Sequence, residues 1–458
     1  MKGLELTLTL QEDCVFSERA ATEGGHRGLD YIPGATLLGA AAARLYRDPE
    51  ISPAEAFTLF HSGQVRFGNG LPLGENGERA WPVPLCWHQA KREGAENNGL
   101  LTHERVFRGA KLPHDKQPQQ LRQGYVTHGG RLIRPLESLR LKTAIDPATG
   151  RARDAALFGY ESLSAHQRFV ARVDIDDAVP DQLYEKLRTI FGDEILLGRS
   201  RSAEFGRVHC AVRDLPDEPA GAGTTAVDSG LSLLPGDGYA QRITLWLLSD
   251  LAALDDLGQP TLAPTPKWLG LPDGTMVLDQ SFVRARRYSP WNAHRRGPDL
   301  ERQVLVQGSV LVFDLSAALT AEHRVCIAAG LGAYRETGLG QVWLDPTILG
   351  DPRGGQHPDF QKAKSTSDPN AAGPCEADSA PKQAPESELI AWLEKGLGRT
   401  KRRDEDAATA RRLARDYAAL LASARKLKGY QAGQEIGPSH SQWGNVLAEA
   451  KKSQADLW

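Results

Sequence analysis

One spacing of glycine and arginine occurs twice in this chain, and it constrains the fold more than any other feature. Gly198-Arg199-Ser200-Arg201 with Gly206-Arg207-Val208 aligns with Gly332-Ala333-Tyr334-Arg335 with Gly340-Gln341-Val342, both of the form G-x-x-R-x4-G-x-V. Each copy follows a segment of helical periodicity and precedes a short apolar strand, so the chain reads as two copies of one α+β unit. Glycines at such a helix–loop–strand connection let the backbone take positive φ and approach a ligand closely. Exposed amide N–H groups beside a guanidinium suit the oxygens of a phosphate chain. The alternative is a tight turn that needs glycine only for its geometry. Neither copy ends in Gly-Lys-Ser/Thr or forms GxGxxG after a first strand, so no nucleotide cofactor, and no other cofactor, is expected.

The rest of the chain fits a duplicated unit. Leu4-Glu5-Leu6-Thr7-Leu8-Thr9-Leu10 has period two and predicts a strand with one buried face. Pro33 and Thr36 stand at the entrance of an Ala-rich apolar run, Leu37–Leu45, that predicts a helix. Leu71–Leu157 reads as loop-rich. Arg168–Ile175 predicts a strand, Pro180–Phe191 a helix, and Cys210–Val212 the start of the last strand of the first copy. The pattern restarts with a strand at Ala240–Leu248, followed by another loop-rich insertion, a second strand over Val304–Leu315, a helix at Thr320–Gly330 and a closing strand at Gln341–Leu344. The expected layout is a first domain over 1–215 with an insertion at about 65–160, a linker at 216–238, and a second domain over 239–347. A disordered, Gly-, Pro- and Ser-rich linker is expected at 348–388, and a helical region at 389–458, with helices at Leu389–Leu397 and Ala407–Leu427.

Charge alone points nowhere: 55 Lys and Arg against 58 Asp and Glu give a formal net charge of −3, so a nucleic-acid surface has to be a local patch. Two such patches exist. Between Arg105 and Lys142 nine Lys or Arg, among them Arg131 and Arg134, face two acids. Between Arg284 and Arg302 six Arg, including Arg286 and Arg287, are interleaved with Tyr288, Trp291 and His294. Cations mixed with aromatics can hold a backbone and stack unpaired bases; the alternative is a solvated loop. The five cysteines are scattered singly with no CxxC, which argues against a disulfide framework and a thiolate zinc site. Cys86-Trp87-His88 and His209-Cys210 are the nearest to ligand pairs, and no metal is expected. The N-terminus lacks a signal peptide's continuous apolar stretch, and no run of about 18 apolar residues occurs, so a cytoplasmic protein without a membrane partner is expected.

These residues together resemble the RAMP superfamily of CRISPR proteins. The resemblance is carried by the opening strand LELTLTL, by Leu29–Ala43 (LDYIPGATLLGAAAA) and by the two glycine-rich loops. It is carried also by Ala144–Leu163 (AIDPATGRARDAALFGYESL), similar to a stretch typical of type III backbone proteins. Pro438-Ser439-His440-Ser441-Gln442-Trp443-Gly444 resembles the RAMP subunit of type III-D systems. The resemblance implies tandem ferredoxin-like (RRM-like, βαββαβ) domains with loop insertions and a C-terminal helical segment. It implies a structural subunit without nuclease activity that caps a type III effector complex at the 5′ handle of the crRNA. The implied partners are crRNA, target RNA, other RAMP backbone subunits and the large polymerase-like subunit. The implied RNA contacts are Gly198, Arg199, Arg201, Gly206 and Arg207, with Gly332, Tyr334, Arg335, Gly338 and Gly340.

Two other functions compete. Some RAMP proteins are endoribonucleases that process crRNA or cleave target RNA. Here the candidates for that chemistry are His26 and Asp30, in the loop after the first strand; a general base has to reach the 2′-OH it deprotonates. His26 has no Tyr or Lys partner nearby in sequence. The other rival is a protein–protein scaffold whose glycine loops serve structure alone.

Overall fold

A computed structural model describes residues 2–18, 27–74, 76–90, 118–127, 131–145, 152–201, 204–215, 236, 238–292, 295, 297–349 and 361–362. The chain divides into two compact units, Met1–Asp368 and Pro369–Trp458. The two predicted C-terminal helices and the Pro438–Gly444 motif lie outside the described residues, as do His26, the linker at 216–235 and most of 348–388.

In chain order the first half contains β1 (Lys2–Leu10), α1 (Gly34–Leu45), α2 (Pro53–Phe60), β2 (Val65–Phe67), β3 (Leu71–Pro72), β4 (Ala80–Pro82), β5 (Tyr125–Thr127) and β6 (Arg131–Ile133). It continues with β7 (Glu137–Ile145), β8 (Ala152–Leu163), β9 (Arg168–Ile175), α3 (Asp181–Phe191), β10 (Glu194–Leu196) and β11 (Arg207–Leu215). The second half contains β12 (Gln241–Leu247), β13 (Gly274–Met276), β14 (Ala285–Tyr288), β15 (Arg302–Leu305), β16 (Val310–Leu315), α4 (Ala321–Ala328) and β17 (Val342–Leu344).

The alternation read from the N-terminus is the alternation of the first sheet. Leu4, Leu6, Leu8 and Leu10 are fully buried beneath it with Phe169, Ala171, Val173 and Ile175 of β9. Helices α1 and α3 cover that face, α3 through Leu183, Leu187, Ile190 and Phe191. The strand order is β10-β11-β1-β9-β2, antiparallel throughout, with β3 also on β9. Sequence reasoning passed over α2, although Ser52-Pro53-Ala54-Glu55 builds a complete capping box with Pro at the first turn.

The second sheet repeats that order as β13-β16-β12-β17, again antiparallel. Ile243, Leu245 and Leu247 of β12 pack with Leu311, Phe313 and Leu315 of β16 and with Ile327 of α4. Two expectations need correction here. No counterpart of α1 forms among the described residues: between β12 and β13 the only helical element is a single 3-10 turn, Lys267–Leu269. The run Val304–Leu315 is two strands rather than one, because Gly308, at φ +85°, turns the chain between β15 and β16.

The third correction concerns Leu71–Leu157. The described residues of this stretch are mainly in strands, including the long β7–β8 hairpin, and β4, β5 and β6 form a sheet of their own with Gln361–Lys362 parallel to β6. That sheet and the chain around it cover the second half. Val83, Trp87, Leu121 and Val126 pack on Trp246, Val310, Val312 and Trp343, the face of the second sheet away from α4. Trp81 lies 5.0 Å from Trp343 between ring centroids, and Trp343 stacks on Trp246 at 5.7 Å. The second sheet is therefore covered on both faces.

Candidate nucleic-acid interface

The two glycine loops have one backbone plan. Gly198, Ser200 and Gly206 have φ of +83°, +54° and +94°; their counterparts Gly332, Tyr334 and Gly340 have +74°, +61° and +79°. Ser200 and Tyr334 are held left-handed without the freedom of glycine, a strained conformation that persists only where its surroundings enforce it. The surroundings match as well. Arg199 N donates to Val15 O as Ala333 N does to Ala252 O, each at 2.9 Å. Gly206 N donates to Asp13 O (3.0 Å) as Gly340 N does to Asp250 O (2.8 Å). Leu197 N to Gly206 O and Leu331 N to Gly340 O are both 2.8 Å.

These bonds settle what the glycines do. A Cβ on Gly206 would stand 2.3 Å from Leu197 O, and one on Gly340 1.8 Å from Leu331 O. The amides of Arg199, Gly206, Ala333 and Gly340 donate inward to the segment after the first strand of each half, so they do not point at a ligand as the sequence suggested. What the loops offer outward is side chains.

Asp13 and Asp250 are the organising residues, and sequence reasoning missed both. Asp13 Oδ1 accepts from Ala165 N (3.0 Å), and its Oδ2 accepts from Ser138 Oγ and Arg140 Nη2 (3.1 and 2.8 Å). Asp250 Oδ1 accepts from Gln307 N (2.9 Å), and its Oδ2 accepts from Arg286 Nε and Nη2 (2.8 and 2.5 Å). Each carboxylate thus ties its glycine loop to a hairpin, β7–β8 or β14–β15. The available signal was Leu10-x-x-Asp13 and Leu247-x-x-Asp250 at the end of the opening strand of each copy.

Around the first loop the side chains face outward. Arg199, Arg201 and Arg207 are exposed, with Arg207 3.5 Å from Glu12. The Arg199 guanidinium lies 5.9 Å from the Tyr160 ring, Tyr160 lies 6.3 Å from Phe205, and Arg140 lies 5.1 Å from Phe205. Arg140 and Tyr160 are direct cross-strand partners of the hairpin. The result is two cations on aromatic faces, Arg199 and Arg140, with Arg201 and Arg207 exposed at their edge, an arrangement suited to a phosphate chain with unpaired bases.

The second loop is turned inward. A Cβ on Gly338 would lie 2.3 Å from Phe67 O, and Thr337 O reaches 2.7 Å from the Cβ position of Gly34 at the start of α1, so this loop is seated on the first half. Tyr334 is stacked under Arg302 at 3.9 Å, and Arg302 Nη1 donates to Thr337 Oγ1 at 3.2 Å. Arg335 is half-buried beside Gly63 and Gly330. Arg286, a candidate RNA contact from sequence, is a buried anchor instead: its guanidinium binds Asp250 and donates to Tyr31 Oη at 2.8 Å, with 14% of the side chain exposed. Arg287 and Arg134 are exposed, and Arg131 is half-buried on β6.

Asp30 accepts from Tyr125 Oη at 2.7 Å, and Tyr125 Oη accepts in turn from Gln307 Nε2 at 3.3 Å. Burial pushes the Asp30 carboxyl above its ordinary range, opposed by the Tyr125 hydrogen bond and by Arg286. His88 Nδ1 lies 3.1 Å from Cys86 O. Among the described residues no three His, Cys, Asp or Glu side chains cluster to hold a metal ion, and no helix is long and apolar enough to cross a membrane.

No family model matches the sequence, and no curated protein matches it. Among solved structures the chain is similar to a chain of the type III-B Cmr-beta complex bound to cognate target RNA, at 11% identity and TM-score 0.37, over 67% of this chain and 86% of that one. It is similar to a chain of a type IV-B CRISPR complex at 15% identity and TM-score 0.25, over 49% of this chain and 99% of that one. It is similar also to oligomeric Cmr4 from Pyrococcus furiosus at 10% identity and TM-score 0.23, over 47% and 99%.

Proposed function

We propose that this chain is a RAMP subunit of a type III CRISPR effector complex that holds RNA without cutting it, built on tandem ferredoxin-like domains. The observation that carries the reading is the first glycine loop, where Arg199 and Arg140 stack on Tyr160 and Phe205 with Arg201 and Arg207 exposed beside them. Guanidinium groups on aromatic faces bind phosphates while leaving room for an unpaired base. The matching strand orders of the two sheets, β11-β1-β9-β2 and β17-β12-β16-β13, support the tandem ferredoxin-like reading. The sequence resemblance supports the finer assignment: crRNA held at its 5′ handle, next to RAMP backbone subunits and the large polymerase-like subunit, in the cytoplasm.

The test is purification of the tagged protein from its native operon and sequencing of the RNA that comes with it. Short RNAs sharing one 5′ end, recovered with other subunits and lost in Arg199→Glu/Arg201→Glu, are the expected result. Retention unchanged by those two substitutions refutes the site. Cleavage of added RNA by the purified chain, abolished by Asp30→Asn or His26→Ala, refutes the non-catalytic role.

A further inference from the structure

Beyond Arg207, the outer face of β1 and β11 in the first sheet plays no part in the site described above; toward β3 the same face is covered, Leu71 packing with Tyr31, Ala80 and Tyr125. Its composition is best read against the second sheet. Thr9 lies cross-strand from Arg168 on one side and His209 on the other. In the second sheet Trp246 occupies that place, between Val310 and Trp343. The Val–Trp–Trp row is buried under the chain's own β4–β6 layer. The Arg–Thr–His row is not: Arg168 and His209 are exposed, and neither makes a side-chain hydrogen bond or ion pair among the described residues.

The cations continue along β11. Alternate residues of a strand share a face, so Arg207, His209 and Arg213 project together, and the burial of β11 alternates accordingly. At about 3.4 Å per residue this stripe is roughly 20 Å long. Glu12 and Glu5 lie 3.5 and 2.6 Å from Arg207 and Arg213, whose side chains remain 52% and 71% exposed; Glu5, 18% exposed, also accepts from Arg79 at 2.9 Å and so keeps a partner when the exposed Arg213 turns to another anion. Glu194, cross-strand from His209, makes no side-chain hydrogen bond or ion pair among the described residues.

We infer that this face is a second RNA-contact surface, taking the sugar–phosphate backbone of a single strand that leaves the first glycine loop at Arg207 and runs along β11 past Arg168, His209 and Arg213. The inference rests on the RNA-holding reading above. Continuity carries it, because Arg207 is both the last residue of the loop motif and the first of the strand. The chemistry agrees. Between its cations the β1–β11 part of the face presents Thr7, Thr9 and Ala211, with no Phe, Tyr or Trp among the described residues of these strands, so contact is with phosphates and independent of base identity. A protein partner would need buried apolar anchors, and the one exposed large apolar side chain on this face among the described residues is Leu196 at the sheet edge.

The experiment compares complexes carrying the intact chain with complexes carrying Arg168→Ala/Arg213→Ala, by backbone footprinting of the co-purified RNA and by RNA retention against salt. The expected result is retained RNA with protection lost over one contiguous stretch. The slope of log retention against log salt should fall by about 1.4, at ~0.7 for each phosphate contact removed from a single strand. Unchanged protection and slope overturn the inference, whether the complex stays whole, which makes the face merely solvated, or loses a subunit, which makes it a protein interface. If the intact chain brings down no RNA, the RNA-holding reading fails and this inference with it. If Arg199→Glu/Arg201→Glu abolishes retention while Arg168→Ala/Arg213→Ala changes nothing, only the inference fails.

Discussion

In the first half of the molecule the row Arg168–Thr9–His209 is open, and in the second half the matching row Val310–Trp246–Trp343 lies beneath a layer of the same chain. The loops divide in the opposite sense. The first glycine loop turns Arg199, Arg201 and Arg207 outward, whereas the second is seated against Phe67 and the start of α1. Even the hairpins are reversed: Arg140 faces Tyr160 across β7–β8, and Tyr288 faces Arg302 across β14–β15, the cation and the aromatic having exchanged strands. One backbone plan therefore supports two jobs. The hydrogen bonds that set the plan are the same in both copies, and the side chains on it make one copy a surface and the other a joint.

The largest expected effects test that division directly. Asp250→Ala should cost about 3–5 kcal/mol, because it removes the two-bond carboxylate partner of a buried guanidinium and leaves Arg286 only Tyr31 Oη and Glu18, 3.7 Å away. Asp13→Ala should cost only about 1–2 kcal/mol, since Arg140 is 49% exposed and water can take the place of the carboxylate. Equal costs in urea denaturation would break the comparison. Trp343→Ala should cost about 3–5 kcal/mol, while its counterpart change His209→Ala should stay within about 0.5 kcal/mol. A large loss at His209 would mean that the first sheet is covered after all.

Next in size is Gly340→Ala, where positive φ and a Cβ 1.8 Å from Leu331 O should together cost at least ~1–3 kcal/mol and loosen the joint. Proteolysis between the halves should then speed up relative to the parent chain; no change would detach the glycine from the joint.

The last expected effect is a pH dependence with one source in the second half. Burial raises the Asp345 carboxyl from 3.8 to about 7, opposed by a hydrogen bond from Thr244 N. A carboxyl whose folded pKa lies above its unfolded value favours the fold while protonated. Its contribution is therefore full below about pH 4 and is lost as pH rises through about 7. Asp345→Asn should flatten stability over that window, measured by urea melts at several pH values. Ala211 holds the corresponding place in the first half and carries no such group; a mutant that keeps the slope would place the titration elsewhere.

Much of this was legible in the sequence where one element carries its own periodicity. The alternating leucines of β1, the apolar face of α3 and strand β9 emerge as read, and the twice-used glycine spacing led to the duplication. The β4–β6 layer was not legible, since strands of three residues have no measurable period and their partners lie far along the chain. The helix missing from the second half was expected only from the βαββαβ pattern that the resemblance implies; the residues after Ala240–Leu248 read as loop-rich, as they are. At the candidate site the spacing marked Arg201, and the family resemblance added Arg199 and Arg207. Asp13 and Asp250 were overlooked because a single acid after a strand looks like any turn residue until its acceptor pattern is seen twice. Arg286 was misread for a related reason: composition marks a basic patch but does not tell a surface cation from one tied to a buried acid.

The layer that covers the second sheet has a further consequence during synthesis. Val83, Trp87, Leu121 and Val126 leave the ribosome well before Val310 and Trp343, the residues they will cover. At about 5–20 residues per second the interval from Val126 to Val310 is roughly 10–40 s. For that time Val83, Trp87, Leu121 and Val126 lack the residues they pack against in the finished structure. A chaperone that shields these residues is the natural company for the chain at its birth, and a ribosome stalled before Val310 would release a sticky fragment rather than a working half.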